Sequence, residues 1–255
     1  MLYPLSILSL LLLTLIHLTH GFLPPPLSHS HSHAHLNSNS PDPDTEEDTI
    51  PFSTRAHWIR RTNAALSALS SPCLFAAFST VIVNHTSPSN SNSDPDALGE
   101  IVCMSVNANS QTGNPILHGE MAAINTCVAV LEGRGWRPEE IGGAWRELSL
   151  YTNAEPCPMC ASAIRWAGFK ECIFGTSIET LVEKGWGQIS ISADEVFAES
   201  MELPGRTRLV GGVLANETDP YFSWQFDGAY PCPKGCERKD EGLCGVVGGE
   251  GKSEL

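Results

Sequence analysis

Two short motifs constrain this chain of 255 residues more than anything else in it: His118-Gly119-Glu120 and Pro156-Cys157-Pro158-Met159-Cys160. Each falls where the hydrophobic pattern changes from strand-like to helix-like. Residues 101–107 read as a strand, with the helical stretch 118–131 following and stopped by Gly133 and Gly135. Residues 148–153 read as a second such strand. They are followed by the helical stretch 157–167, stopped by Gly168. Two helix N-termini are thereby expected beside each other, each bearing sulfur or imidazole.

The remaining pattern sets the frame around them. Residues 55–69 predict a helix whose apolar positions are Trp58, Ile59, Ala65, Leu66 and Leu69. Residues 74–83 predict a strand that pairs with 101–107 as a hairpin, across a polar loop at 88–99. Further strands are expected at 171–176 and 207–213, with a helix at 192–201 between them. From residue 148 onward strands and helices alternate, which favours parallel pairing at that edge. The expected fold is α/β: a three-layer α/β/α sandwich around a five-stranded mixed sheet, without internal repeats. The hydrophobic fraction of 42% is enough for such a core.

Alone, His118-x-Glu120 is a common triplet. Alone, Cys157-x-x-Cys160 also fits a disulfide or a redox pair, although a redox pair belongs after the first strand of a thioredoxin-like order, which this pattern lacks. Together they are specific. Cys157 and Cys160 stand at i and i+3 and share a helical face. Two thiolates and one imidazole leave tetrahedral zinc one open position, for water, and that marks a catalytic site rather than a structural one. Helix N-termini favour thiolate over thiol. Glu120, two residues past the imidazole, is close to the metal without being needed as a ligand, so it can shuttle protons.

Residues 107–176 resemble the cytidine/deoxycytidylate deaminase superfamily. Within it, Glu155-Pro156-Cys157-Pro158-Met159-Cys160 followed by Ala163-Ile164-Arg165-Trp166-Ala167 is most similar to bacterial-type guanine deaminases and to tRNA adenosine deaminases. The Glu before Pro-Cys points to that purine side. The resemblance implies zinc ligands His118, Cys157 and Cys160, with Glu120 as the catalytic proton shuttle. It implies Asn107 as the amide that holds the base, since a carboxamide can both donate to and accept from a purine edge. Gly119 stands where relatives usually carry Ala, and its N–H remains able to contact substrate. An aromatic cluster at Tyr221, Phe222, Trp224 and Phe226 follows the last strand, and Trp224 is a candidate to cap the pocket by stacking. The alternative is that it packs on the core. Relatives are commonly homodimers, and no independent dimer signal is present.

The chain's organisation sets this site in an unusual context. Residues 1–21 read as a signal peptide, because the apolar run at 5–18 is too short to span a bilayer. Residues 22–50 form a Pro-, His-, Ser- and acid-rich stretch expected to be a disordered linker. The deaminase-type domain is expected at 51–228 and a Gly/Cys-rich tail at 229–255. Sequons at Asn84 and Asn216 agree with a secretory route and a glycoprotein. The final Lys-Ser-Glu-Leu is one substitution from a retrieval signal, so either secretion or retention in the endoplasmic reticulum is expected. Of the nine cysteines, two among Cys232, Cys236 and Cys244 are expected to form a disulfide. Cys73, Cys103, Cys127 and Cys172 read as small buried hydrophobes.

A net charge of −14 disfavours a polyanionic substrate. The expected substrate is therefore a small nucleobase or nucleoside, guanine-like by resemblance. The alternatives are a tRNA adenosine deaminase, an inactive zinc-binding protein of the same fold, and a secreted disulfide-rich module with Cys157 and Cys160 oxidised.

Overall fold

A computed structural model describes residues 50–86, 98–240 and 242–248. These lie within Glu47–Leu255, the larger of two compact units. The signal-peptide stretch, nearly all of the 22–50 linker, most of the 88–99 loop and the Lys-Ser-Glu-Leu end lie outside them.

Helix α1 (Phe52–Leu69) leads into β1 (Ser79–Asn84) and β2 (Glu100–Val106). Then come α2 (Asn109–Thr112), α3 (Gly119–Gly133), α4 (Pro138–Ala144), β3 (Leu148–Ala154), α5 (Pro158–Ala167) and β4 (Glu171–Thr176). The chain continues through α6 (Ile178–Glu183), α7 (Ala193–Glu199), β5 (Arg208–Val210) and α8 (Ala215–Thr218), and ends in a small hairpin of β6 (Cys236–Arg238) and β7 (Cys244–Val246).

The main sheet has five strands in the order β2-β1-β3-β4-β5. β1 runs antiparallel to both β2 and β3, while β3, β4 and β5 are parallel. This is the expected mixed sheet. Every residue of β3 and β4 is buried, as a parallel strand covered on both faces must be. On one face Ile82, Leu150 and Cys172 pack with Ala123, Cys127 and Leu131 of α3, Ala161 and Ile164 of α5, and Phe197 of α7. On the other, Val81, Val83, Tyr151 and Ile173 pack with Trp58, Ile59 and Ala65 of α1. The alternation along β3, with Leu150 to one layer and Tyr151 to the other, is the period-two signature of a strand between two helical layers.

Several boundaries differ from the sequence reading. The first strand begins at Ser79 rather than residue 74. Ahead of it the chain turns, because Asn153 holds it: its Oδ1 accepts the Ser79 N–H at 3.0 Å and its Nδ2 donates to the Ala77 carbonyl at 2.7 Å. The last strand shrinks to Arg208–Val210, since Gly212 takes φ +73 and ends it. Helices α2, α4, α6 and α8 were not foreseen.

The cysteines need a larger correction. Cys73, Cys103 and Cys127 are not free buried hydrophobes; they form disulfides Cys73–Cys236 and Cys103–Cys127. Cys232–Cys244 supplies the expected disulfide in the tail. Cys172 is a buried free thiol, as expected. The missed pairings join residues separated by 163 and 24 positions, and only the folded arrangement of α1, β2, α3 and the tail makes them neighbours.

Among the described residues no helix is long and apolar enough to cross a membrane.

Candidate active site

The site forms at the end of the sheet where β2 and β3 finish. His118 is the N-cap of α3 and Cys157 the N-cap of α5, both in extended backbone conformation. These are positions where Ser, Thr, Asp or Asn usually caps the first turn. Neither side chain caps its own helix, which leaves both free to face a common centre. Pro158 starts α5 with its φ already helical and no N–H to satisfy. One turn on, Cys160 is fully buried and directed to the same point.

The Nδ1 of His118 lies 3.5 Å from the Cys157 sulfur and 3.8 Å from that of Cys160. All three candidate ligand atoms are within 4.8 Å of one another. Tetrahedral zinc, with bonds of about 2.3 Å to sulfur and about 2.0 Å to nitrogen, requires N···S separations of roughly 3.6 Å. The residues therefore fit zinc, with Nδ1 as the imidazole donor. Cys157 and Cys160 are free thiols, which removes the oxidised-module alternative.

The electrostatics agree with a metal site. The Cys160 thiol beside it, helped by His118, pulls the Cys157 thiol down to about 4. Its own hydrogen bond with Cys157, together with burial, raises Cys160 strongly. In a metal-free pair one sulfur thus holds the negative charge and the other the proton. Glu120, 5% exposed in the first turn of α3, is pushed up to about 7 by burial. It lies within hydrogen-bonding reach of the Cys160 thiol.

Asn107 directly follows β2 in a buried position. Its N–H donates to the Phe78 carbonyl at 2.8 Å and its Nδ2 to Asn109 Oδ1 at 2.8 Å. Asn109, which no motif singles out, thereby fixes the orientation of that amide. Gly119 sits against the same segment: a Cβ there would be 3.1 Å from the Phe78 carbonyl oxygen.

Residues 96–176 match the family model described as the cytidine and deoxycytidylate deaminase zinc-binding region. Over these residues the chain is similar to the cytidine deaminase superfamily. It is 31% identical over 110 residues to a cytosine deaminase of Candida albicans, a match covering 41% of this chain and 64% of that protein. It is 26% identical over 132 residues to a guanine deaminase of Bacillus subtilis, covering 50% and 74%. Among solved structures it is similar to a guanine deaminase from Nitrosomonas europaea, at 15% identity and TM-score 0.49, covering 68% of this chain and 82% of that one. The chain thus spans a little under two thirds of the first of these relatives. The matched region is a zinc-binding one, and among the described residues His118, Cys157 and Cys160 are a group that can hold zinc.

Two sequence clues are placed differently from what they suggested. Glu155, read as a purine-side marker, is occupied by backbone: Oε2 accepts the Ile178 N–H and Oε1 the Ala193 N–H, both at 2.8 Å. It anchors the starts of α6 and α7 to the zinc-ligand loop. Trp224, the candidate cap, is 1% exposed, with Phe75 edge-on at 6.0 Å. Its ring is buried against Phe75, the arrangement that core packing would give.

Proposed function

We propose that this protein is a zinc-dependent hydrolytic deaminase of a small nucleobase or nucleoside, with a guanine-like purine favoured. The observation that carries this reading is the buried Glu120 beside a complete His118, Cys157, Cys160 ligand set. A structural zinc site needs no such carboxylate, and burying one costs stability. That weighs against an inactive zinc-binding protein.

Zinc held there would supply Lewis acidity and bring the pKa of water toward neutrality. Glu120, buried beside the ligand set, is placed to take a proton and return it to a ring nitrogen and the leaving amine. Asn107, fixed by Asn109 and Phe78, would orient the base through its amide. The Gly119 N–H, at the start of α3, is available to a polar atom of the substrate.

The charge of −14 supports a small substrate over tRNA. The purine preference rests on sequence resemblance, and the Candida relative makes cytosine the main competitor. Three disulfides among nine cysteines, sparing both ligand thiols, support an oxidising compartment.

The test is ammonia release by the zinc-loaded protein from guanine, adenine, cytosine and their nucleosides. Release from a purine supports the full reading. Release from cytosine alone keeps the reaction and overturns the purine preference. Release from none of them overturns the deaminase reading.

A further inference from the structure

An unbroken chain of contacts runs from the zinc-ligand loop around to Asn107, and a tryptophan closes it. Glu155, just ahead of Pro156-Cys157, holds the first N–H of α6. α6 ends at Glu183, and two residues on Gly185 takes φ +95, a conformation L side chains rarely adopt. A Cβ at Gly185 would also press on the Phe226 ring at 3.1 Å. This turn delivers Trp186, whose N–H donates to the Leu181 carbonyl at 3.0 Å. The indole N–H donates to the Phe222 carbonyl at 2.9 Å, so the ring has a fixed orientation.

The Trp186 ring meets Phe78 at 5.2 Å, Phe226 at 5.2 Å, Phe75 at 5.6 Å and Phe222 at 6.2 Å. Phe78 is the residue whose carbonyl touches both Asn107 and Gly119. Trp186 packs on the cluster containing Val106 and Ala154, the last residues of β2 and β3. It is therefore at the zinc end of the sheet. Its neighbour Phe222 is fully buried, whereas Trp186 keeps part of its surface open.

From this geometry we infer that Trp186 is a specificity-determining residue, whose indole is the stacking wall for the planar base. The inference rests on the deaminase reading for its ligand class. A large, rigid ring held by its own N–H offers stacking area without ordering cost. Such a wall rewards ring area, so a two-ring base gains more from it than a one-ring base.

The test uses zinc-loaded Glu120→Gln protein, which should leave ligands intact, titrated calorimetrically with guanine, adenine, cytosine and their nucleosides. Adding Trp186→Ala is expected to weaken the tightest base on the order of tenfold, with zinc content unchanged. Trp186→Phe is expected to recover most of that loss, and Trp136→Ala, on an exposed tryptophan between α3 and α4, to leave affinity unaltered. If Trp186→Ala does not fold, Trp186→Phe alone decides, with a loss of about twofold expected. Unchanged affinity in the folded variants overturns the inference. If bases bind through Trp186 but the wild type releases no ammonia, the deaminase reading fails and this one stands. If none of the three bases and none of their nucleosides binds, both fail.

Discussion

Phe78 and Gly119 meet backbone to backbone, with 3.1 Å between the Phe78 carbonyl oxygen and the point where a Cβ of residue 119 would stand. That carbonyl also accepts the Asn107 N–H. Gly119→Ala must therefore displace Phe78 by a few tenths of an ångström, and Asn107 with it. The expected result is a rise in KM of about twofold to fivefold, since a small misplacement of a positioning group weakens its contacts. Zinc content should stay the same. Steady-state kinetics of the variant check this, and an unchanged KM would show that the wall yields elsewhere.

Glu155 anchors two helices through charge-assisted hydrogen bonds, which are stronger than neutral ones. Glu155→Ala strands the N–H groups of Ile178 and Ala193. A loss of about 2–4 kcal/mol is expected by urea denaturation. Because its carboxylate is turned to backbone, the order of preference among bases should survive in Glu155→Gln. A variant that keeps its stability but changes base preference would assign Glu155 to substrate instead.

Burial raises the Glu120 carboxyl from 4.5 to about 7 in the metal-free protein. Below pH 4.5 both folded and unfolded chains hold the proton. Between 4.5 and 7 the unfolded chain loses it first, so stability falls with rising pH. Above 7 the deficit is complete, at about 3 kcal/mol. Glu120→Gln has no proton to lose. After chelation it should be more stable than wild type by roughly that amount at pH 8, and the advantage should shrink toward pH 4.5. Parallel stability curves for the two proteins across this range would refute the raised pKa.

The Cys73–Cys236 disulfide staples the tail to the turn ahead of Phe75 and Phe78. Arg238, in the same tail, donates to the carbonyls of Trp224, Tyr230 and Gly242. Replacing both cysteines by Ala should cost about 3–5 kcal/mol. Zinc should remain near one per chain, because α3 and α5 carry its ligands. Loss of zinc in the folded double variant would contradict this separation of staple and site.

The mixed five-stranded sheet and the convergence of His118, Cys157 and Cys160 were legible because each has a local signature: period-two runs, and motifs at strand-to-helix junctions. His118 and Cys157 could be placed even though they break the usual capping preference, since the helices after them were plain. What escaped was carried by long-range contacts. Cys103 and Cys127 read as core cysteines because both do sit in the core, and nothing local says that β2 and α3 bring them together. Asn153 and Asn109 act on neighbours that only the fold supplies. Trp186 was passed over because its segment has a weak helical pattern, although the Gly185 before it was a signal for a left-handed turn.

The most direct test of the central claim is ammonia release by zinc-loaded wild type and Glu120→Gln side by side, with metal content measured on the same samples. The account predicts about one zinc per chain in both, release by the wild type, and loss of release by at least a hundredfold in the variant. Equal release by the two proteins, or a wild type that releases none from any of the bases and nucleosides, would contradict it.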